Sequence, residues 1–246
     1  VLPHLAELGA KRARVQTVWA RCERVNGVLD YPRLDGIVDK IIAAGLEPWL
    51  CVCYGNRLYI PEADHEAAIG IAPLYNDEAR EAWKRFCAAV AKHYRERVKF
   101  FEIWNEPDHT HWWGPKPPSG ADYAEFLRIS SRAIRANNPE AKVVGGAVAM
   151  LLDQSGMTFM ETALRAGAAD DMDVLSYHVY RRTIERSYER QVQAFRAIVA
   201  RHAPHLPVWQ GESGTPSDVQ TEQALADLPW TPLHQAKWLC RRTVLD

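Results

Sequence analysis

Six apolar runs of β type alternate with stretches of helical spacing, and this alternation constrains the fold more than any other feature of the chain. The runs are "RARVQTVW" (12–19), "EPWLCVCY" (47–54), "VKFFEIW" (98–104), "AKVVGGAVA" (141–149), "DVLSYHVY" (173–180) and "PVWQG" (207–211). Between the first two, Leu34, Ile37, Val38, Ile41 and Ile42 share one helical face and Gly45 ends it. After the second, Asn76 and Asp77 offer caps to a helix over 77–97 whose apolar face is Trp83, Phe86, Cys87, Val90 and Tyr94. Tyr123, Phe126, Leu127, Ser130 and Ile134 repeat the spacing, and further helices are expected over about 157–166 and 184–202. Strands alternating with helices imply βα units and a parallel sheet buried on both faces. No glycine-rich phosphate loop follows any run, which argues against a dinucleotide-binding sheet.

The 246 residues are 47% hydrophobic and 25% charged, ordinary for a globular chain, and no composition shift marks a linker. One domain over 1–246 is expected. A net charge of −1 gives no general attraction to nucleic acid or to an anionic membrane. No apolar run approaches the roughly 18 residues of a membrane span. The five cysteines are odd in number and lack zinc-ribbon spacing, so Cys51 and Cys53 read as small core residues on one strand face. Both ends look cut from a longer chain: residues 3–9 resemble the end of a helix, and the last residues an amphipathic helix. Compartment and oligomeric state are therefore not set by the sequence, and no cofactor is expected.

Polar residues collect where the runs end. "FFEIWNEPD" (100–108) starts as a buried strand and finishes in Asn105, Glu106, Pro107 and Asp108. His178 and Tyr180 end the fifth run, Glu212 follows the sixth in "VWQGESG", and Arg14 lies in the first. In a parallel α/β barrel the carboxyl ends of all strands open on one face, which carries the active site. Glu106 and Glu212 would then converge across one cleft, and two facing carboxylates are the apparatus of glycoside hydrolysis.

These motifs resemble those of the clan A glycoside hydrolases, and "LCVCYGN" with "FFEIWNEPDHTHWW" is most similar to the β-xylosidase-like and α-iduronidase-like family 39 group. "WNEP" matches the clan's acid/base motif at Glu106, and "QGESG" its nucleophile motif at Glu212. "GAKRAR" has the spacing of the strand-2 arginine at Arg14, and "YHVY" matches a His and Tyr at the end of strand 6. The resemblance implies a (β/α)8 TIM barrel of which the six runs are strands 2–7, so that strands 1 and 8 are absent. An open, C-shaped sheet with two exposed edges is then expected. It also implies a retaining glycosidase without cofactor or metal, acting on a carbohydrate. Glu106 would donate a proton and later accept one, Glu212 would attack the anomeric carbon, and Arg14 and Tyr180 would hold Glu212 ionised. Asn105 would bind the sugar 2-hydroxyl. The acid has to carry a proton near neutral pH, which like-charge repulsion from a nearby carboxylate favours.

Each residue also has a structural reading. Arg14 could serve a core ion pair, and His178 and Tyr180 could be satisfied core groups. Trp19, Trp112 and Trp113 lie at or beyond run ends, where flat rings suit the C–H faces of sugars; loop packing is the alternative. His109 and His111 form a pair that, with His178, would suit a metal-dependent barrel hydrolase. A glycan-binding barrel without catalysis is the other rival, and retention of both carboxylates speaks against it.

Overall fold

The computed structural model describes residues 2–149, 154–219, 224–226 and 228–245. Six strands pair in chain order, all parallel: β1 (Arg12–Gln16), β2 (Glu47–Val52), β3 (Phe100–Ile103), β4 (Lys142–Val148), β5 (Val174–His178) and β6 (Val208–Glu212). The sheet curls far enough for Arg14 on its first strand to pair with Glu212 on its last. Consecutive parallel neighbours joined by helices make this a six-strand arc of the expected (β/α)8 barrel. Among the described residues, β1 and β6 each have a strand neighbour on one side only.

Helices α1 (Leu2–Glu7), α2 (Trp19–Cys22), α3 (Pro32–Ala43), α4 (Asp77–His93), α5 (Gly120–Asn137), α6 (Gln154–Arg165), α7 (Tyr188–His202) and α8 (Pro232–Leu245) complete the fold. Local chemistry sets several boundaries. The Asn76 side chain accepts from the Ala79 amide at 3.1 Å and starts α4, and Ser119 caps α5 through the Asp122 amide at 3.3 Å. Pro32 occupies the first turn of α3, where its missing N–H costs nothing.

The strands are shorter than the apolar runs. The first strand ends at Gln16: Val18 turns left-handed (φ 55°), and Trp19, its amide still on the Cys53 carbonyl at 2.8 Å, opens α2 instead of extending the strand. The third stops at Ile103, before a left-handed Trp104 (φ 70°). The helix expected from 184 begins only at Tyr188, behind a left-handed Ser187, while α6 begins at Gln154, ahead of its expected start.

Two apolar regions hold the sheet. On its outer face, Trp19, Trp83, Phe86, Trp104, Tyr123 and Phe126 pack between strands and helices in one continuous cluster. On the inner face a separate layer of Trp49, Phe100, Val144 and Val174, with Trp209 against it, fills the end of the barrel away from the site. The Arg12 guanidinium lies over Phe100 (4.6 Å) and Trp209 (4.8 Å), a cation–π contact across that layer. Cys51 and Cys53 are buried free thiols, as their place on β2 and just beyond it suggests.

Candidate active site

Strand alternation stacks polar side chains above the inner apolar layer. Arg14 on β1, Glu102 on β3 and Ser176 on β5 form a buried middle layer. Arg14 Nε donates to Glu102 Oε2, and Ser176 Oγ donates to Glu102 Oε1 at 2.6 Å. Glu102 is wholly buried. Above it, Arg14 Nη1 donates to Glu212 Oε1 and Nη2 to Asn105 Oδ1 at 3.0 Å. One guanidinium thus holds two carboxylates and an amide.

Glu106 reaches this layer from a loop. It sits three residues beyond the end of β3 with φ 51°, a left-handed backbone that is strained for a non-glycine residue. β3 ends at Ile103, well before Pro107, and the unusual backbone geometry lies at Trp104 and Glu106. Neighbouring contacts hold it there. The Trp104 indole N–H donates to the Trp112 carbonyl at 2.8 Å, and Asp108 Oδ1 accepts from the Ala149 amide at 2.9 Å, tying the loop to the end of β4.

His178, the last residue of β5, stands between the two glutamates. Its Nδ1 is 3.0 Å from Glu106 Oε1 and 3.7 Å from Glu212 Oε2. One oxygen of Glu106 and one of Glu212 lie within 4.8 Å of each other. Tyr180, just past β5, donates to Glu212 Oε2 at 3.0 Å. The register shift between β5 and β6 sets Glu212 opposite His178, and Gly211 makes room for it: a Cβ there would stand 3.0 Å from His178 Nε2. The cleft above Arg14, Gln16, Tyr180 and Glu212 holds about 370 Å³.

The electrostatics sort the groups. Burial alone pushes the Glu212 carboxyl upward, but His178, the Arg14 charge and the bonds from Tyr180 and Arg14 outweigh it and hold it below the ordinary carboxylate range. Burial likewise works against the Arg14 charge and is overcome, leaving Arg14 above its usual value. Cys51 faces Arg14, but burial pushes its thiol well up. The anions that matter to Arg14 are therefore Glu102 and Glu212. Burial and the neighbouring Glu212 charge raise Tyr180, so it remains a donor.

The structure brings Arg14, Asn105, Glu106, His178, Tyr180 and Glu212 together. It does not bring Trp19 or Trp113 to the cleft. Trp19 is fully buried, stacked between Tyr59 (5.3 Å) and Phe86 (5.5 Å), with its indole N–H on Glu23. Trp113 is buried against Trp104, Tyr123 and Phe126. Both are core residues, because the backbone turns left-handed at Val18 and the loop after β3 folds back onto α5. Trp112 is half-buried and stacks on Tyr54 at 5.5 Å, beside the site. His109 and His111, with rings 6.4 Å apart, do not converge with His178 among the described residues, so the three-histidine metal site has no ligand set.

Four site residues escaped the sequence reading: Gln16, Tyr54, Glu102 and Ser176. Gln16 Nε2 donates to Tyr54 Oη at 3.1 Å and faces Asn105 Oδ1 at 3.4 Å. A signal existed for two of them. Arg12, Arg14 and Gln16 alternate along one strand face, and Glu102 is an acid in mid-strand between apolar neighbours.

Comparison with known proteins places this arrangement. No curated protein sequence matches the chain. Among solved structures, a family 39 glycoside hydrolase from the gut symbiont Bacteroides cellulosilyticus WH2 superposes with a TM-score of 0.72 at 20% identity, over 99% of this chain and 50% of that one. A GH39 β-xylosidase from Caulobacter crescentus gives 0.66 at 22% identity, over 88% and 50%. A fungal β-1,4-galactanase gives 0.67 at 15% identity, over 96% and 74%. The chain spans about half the length of the two family 39 structures. Residues 15–212, from β1 to Glu212, match the profile of the glycosyl hydrolases family 39, and the chain belongs to that family.

Proposed function

We propose that the protein is a retaining glycosidase that hydrolyses O-glycosidic bonds by double displacement, with Glu212 as nucleophile and Glu106 as acid/base. The observation that carries this reading is the approach of the two carboxylates to within 4.8 Å in one cleft. One oxygen from each group at that distance is nearer to the roughly 5–5.5 Å spacing of retaining enzymes than to the about 6.5–9.5 Å that an inverting one needs for its water.

Glu212 is held ionised and aimed by Arg14 on one oxygen and Tyr180 on the other. It attacks the anomeric carbon as the glycosidic C–O bond breaks, and Glu106 gives its proton to the leaving oxygen. Glu212 is then an ester and uncharged. Glu106, now a carboxylate beside a neutral neighbour, takes a proton from water, which attacks the anomeric carbon and frees Glu212. The Asn105 oxygen is occupied by Arg14 and Gln16, so its amide nitrogen is left to donate to a sugar hydroxyl near the reacting carbon. The stacked Tyr54 and Trp112 offer an aromatic wall on that side. The substrate is a carbohydrate.

Two variants of the complete protein test the roles, with an aryl glycoside as substrate. Glu212→Ala should lose essentially all turnover, and azide should restore a product of inverted configuration. Glu106→Ala should keep cleavage of activated aryl glycosides, fail on poor leaving groups, and with azide give a product of retained configuration. Near-normal hydrolysis by Glu212→Ala would overturn the assignment.

A further inference from the structure

Glu102 plays no direct part in the chemistry above, yet it is a fully buried carboxylate in the centre of the half-barrel. Both of its oxygens are engaged, Oε2 by Arg14 Nε and Oε1 by Ser176 Oγ at 2.6 Å. Ser176 Oγ itself accepts from the Ala147 amide at 2.9 Å, and its own hydroxyl proton is directed to Glu102 at the shorter of its two acceptor contacts. A buried charge is costly unless paired and hydrogen-bonded. The pairing here is with Arg14, the same side chain that holds the nucleophile.

We propose that Glu102 is a positioning residue for Arg14, fixing the plane of its guanidinium and balancing its charge through the covalent step. This rests on the reading of Glu212 as nucleophile. Before the reaction Arg14 faces two anions, Glu102 and Glu212. When a Glu212 oxygen bonds to the anomeric carbon and the leaving oxygen departs with the proton of Glu106, one of those anions disappears. Without Glu102 the intermediate would hold Arg14 as a buried cation with no carboxylate bonded to its guanidinium, the new Glu106 carboxylate being held by His178 instead. With Glu102 the pair stays neutral, so forming the ester does not strand a charge. Glu102 also grips the Nε edge of the fork, leaving the two Nη groups to Glu212 and Asn105. The other ionisable groups facing this layer are Cys51 from β2, Tyr54 from just beyond it, Tyr123 from α5, Glu106 from the loop after β3, and His178 and Tyr180 from β5 and beyond.

The test is Glu102→Gln in the complete protein, read as the pH profile of kcat/KM on an aryl glycoside. Removing an anion near Glu212 while Arg14 remains should move the acid limb to lower pH, by roughly one unit. The rate at the plateau should fall roughly ten- to a hundredfold, the cost seen when an outer partner that orients a metal ligand is removed. Glu102→Asp keeps the charge and should leave the limb in place while lowering the rate. A merely structural role predicts the opposite sign, because a loosened Arg14 would release Glu212 and push the limb upward. An unmoved or raised limb in Glu102→Gln overturns the proposal. Should that variant fail to fold, the double change Arg14→Gln with Glu102→Gln decides: charge balance predicts that it folds, and equal failure of both refutes it. Azide rescue of Glu212→Ala, run alongside, separates failure of this proposal from failure of the nucleophile assignment.

Discussion

Tyr180→Phe isolates one hydrogen bond in the site. The change keeps the ring and removes only the hydroxyl that donates to Glu212 Oε2 at 3.0 Å. A hydrogen bond to a charged group contributes about 1.5–3 kcal/mol. Part of that holds Glu212 ionised, and part aims the oxygen that attacks. Were all of it to act on ionisation, the carboxyl would rise by roughly one to two units, at 1.36 kcal/mol per unit. Arg14 and His178 still face Glu212 after the change, so we expect a rise of about one unit, with the remainder appearing as a loss in rate of about tenfold. The sign follows from the direction of the shift. Tyr180 is one of the groups that hold Glu212 low against burial, and its removal lets burial regain ground. The acid limb of kcat/KM should therefore move to higher pH, opposite to the shift expected for Glu102→Gln. The assay is kcat/KM for an aryl glycoside from about pH 3 to 8, with a thermal melt as control for folding. An acid limb that stays in place or moves down would falsify the claim that Tyr180 serves an ionised Glu212.

Two further outcomes follow from the same geometry. Gly211→Ala places a Cβ 3.0 Å from His178 Nε2 and 3.1 Å from its Cδ2, so the buried ring must give by a few tenths of an ångström, which disturbs its contact with Glu106. We expect a loss of about 1–3 kcal/mol in stability and a fall in kcat/KM, and an unchanged rate would show that the His178–Glu106 contact is dispensable. Asp173 ties β4 to β5, accepting from the Val143 amide at 2.9 Å, Arg135 at 3.0 Å and Lys142 at 3.2 Å. Burial opposes its ionisation, but these donors hold the carboxyl below its usual value. Its contribution to stability is therefore complete above the ordinary carboxylate range and fades as pH falls through the lowered folded value. Asp173→Asn should cost about 1–2 kcal/mol near pH 7 and progressively less below about pH 4, and denaturant melts showing a constant gap across that range would contradict it.

The sheet and both glutamates were legible because each leaves a local mark. A parallel strand buried on two faces reads as a continuous apolar run, and "WNEP" and "QGESG" place a carboxylate at the end of such a run. What was not legible depends on which face a side chain takes. Glu102 stands out only as an acid between apolar neighbours, and the pleat alone decides that it faces inward with Arg14 and Ser176. Trp19 looks like a residue at a strand mouth, and only the left-handed turn at Val18 sends it into the core. The same holds for Trp112 and Trp113: one stacks beside the cleft and the other is buried, although they are adjacent.

Those buried tryptophans still bear on the site, through the backbone rather than through substrate. Positive φ at Trp104 and Glu106 costs on the order of 1–3 kcal/mol at each residue and persists only where the surroundings over-determine it. Here they do. Trp104 is fully buried and packs edge-on against Tyr54, Trp83, Trp113 and Phe126, with centroids 5.5–6.3 Å away, while its N–H is held by the Trp112 carbonyl. Moving Trp104 back to strand geometry would empty that aromatic cluster, at a cost comparable to deleting a core aromatic side chain, about 3–5 kcal/mol. The loop that follows is thus fixed by the packing between β3, α4 and α5. Glu106 comes off that loop beside His178, with one of its oxygens within 4.8 Å of Glu212. The aromatic richness of the third βα unit, which the sequence suggested for binding sugar, serves mainly to hold a strained turn that carries the carboxylate.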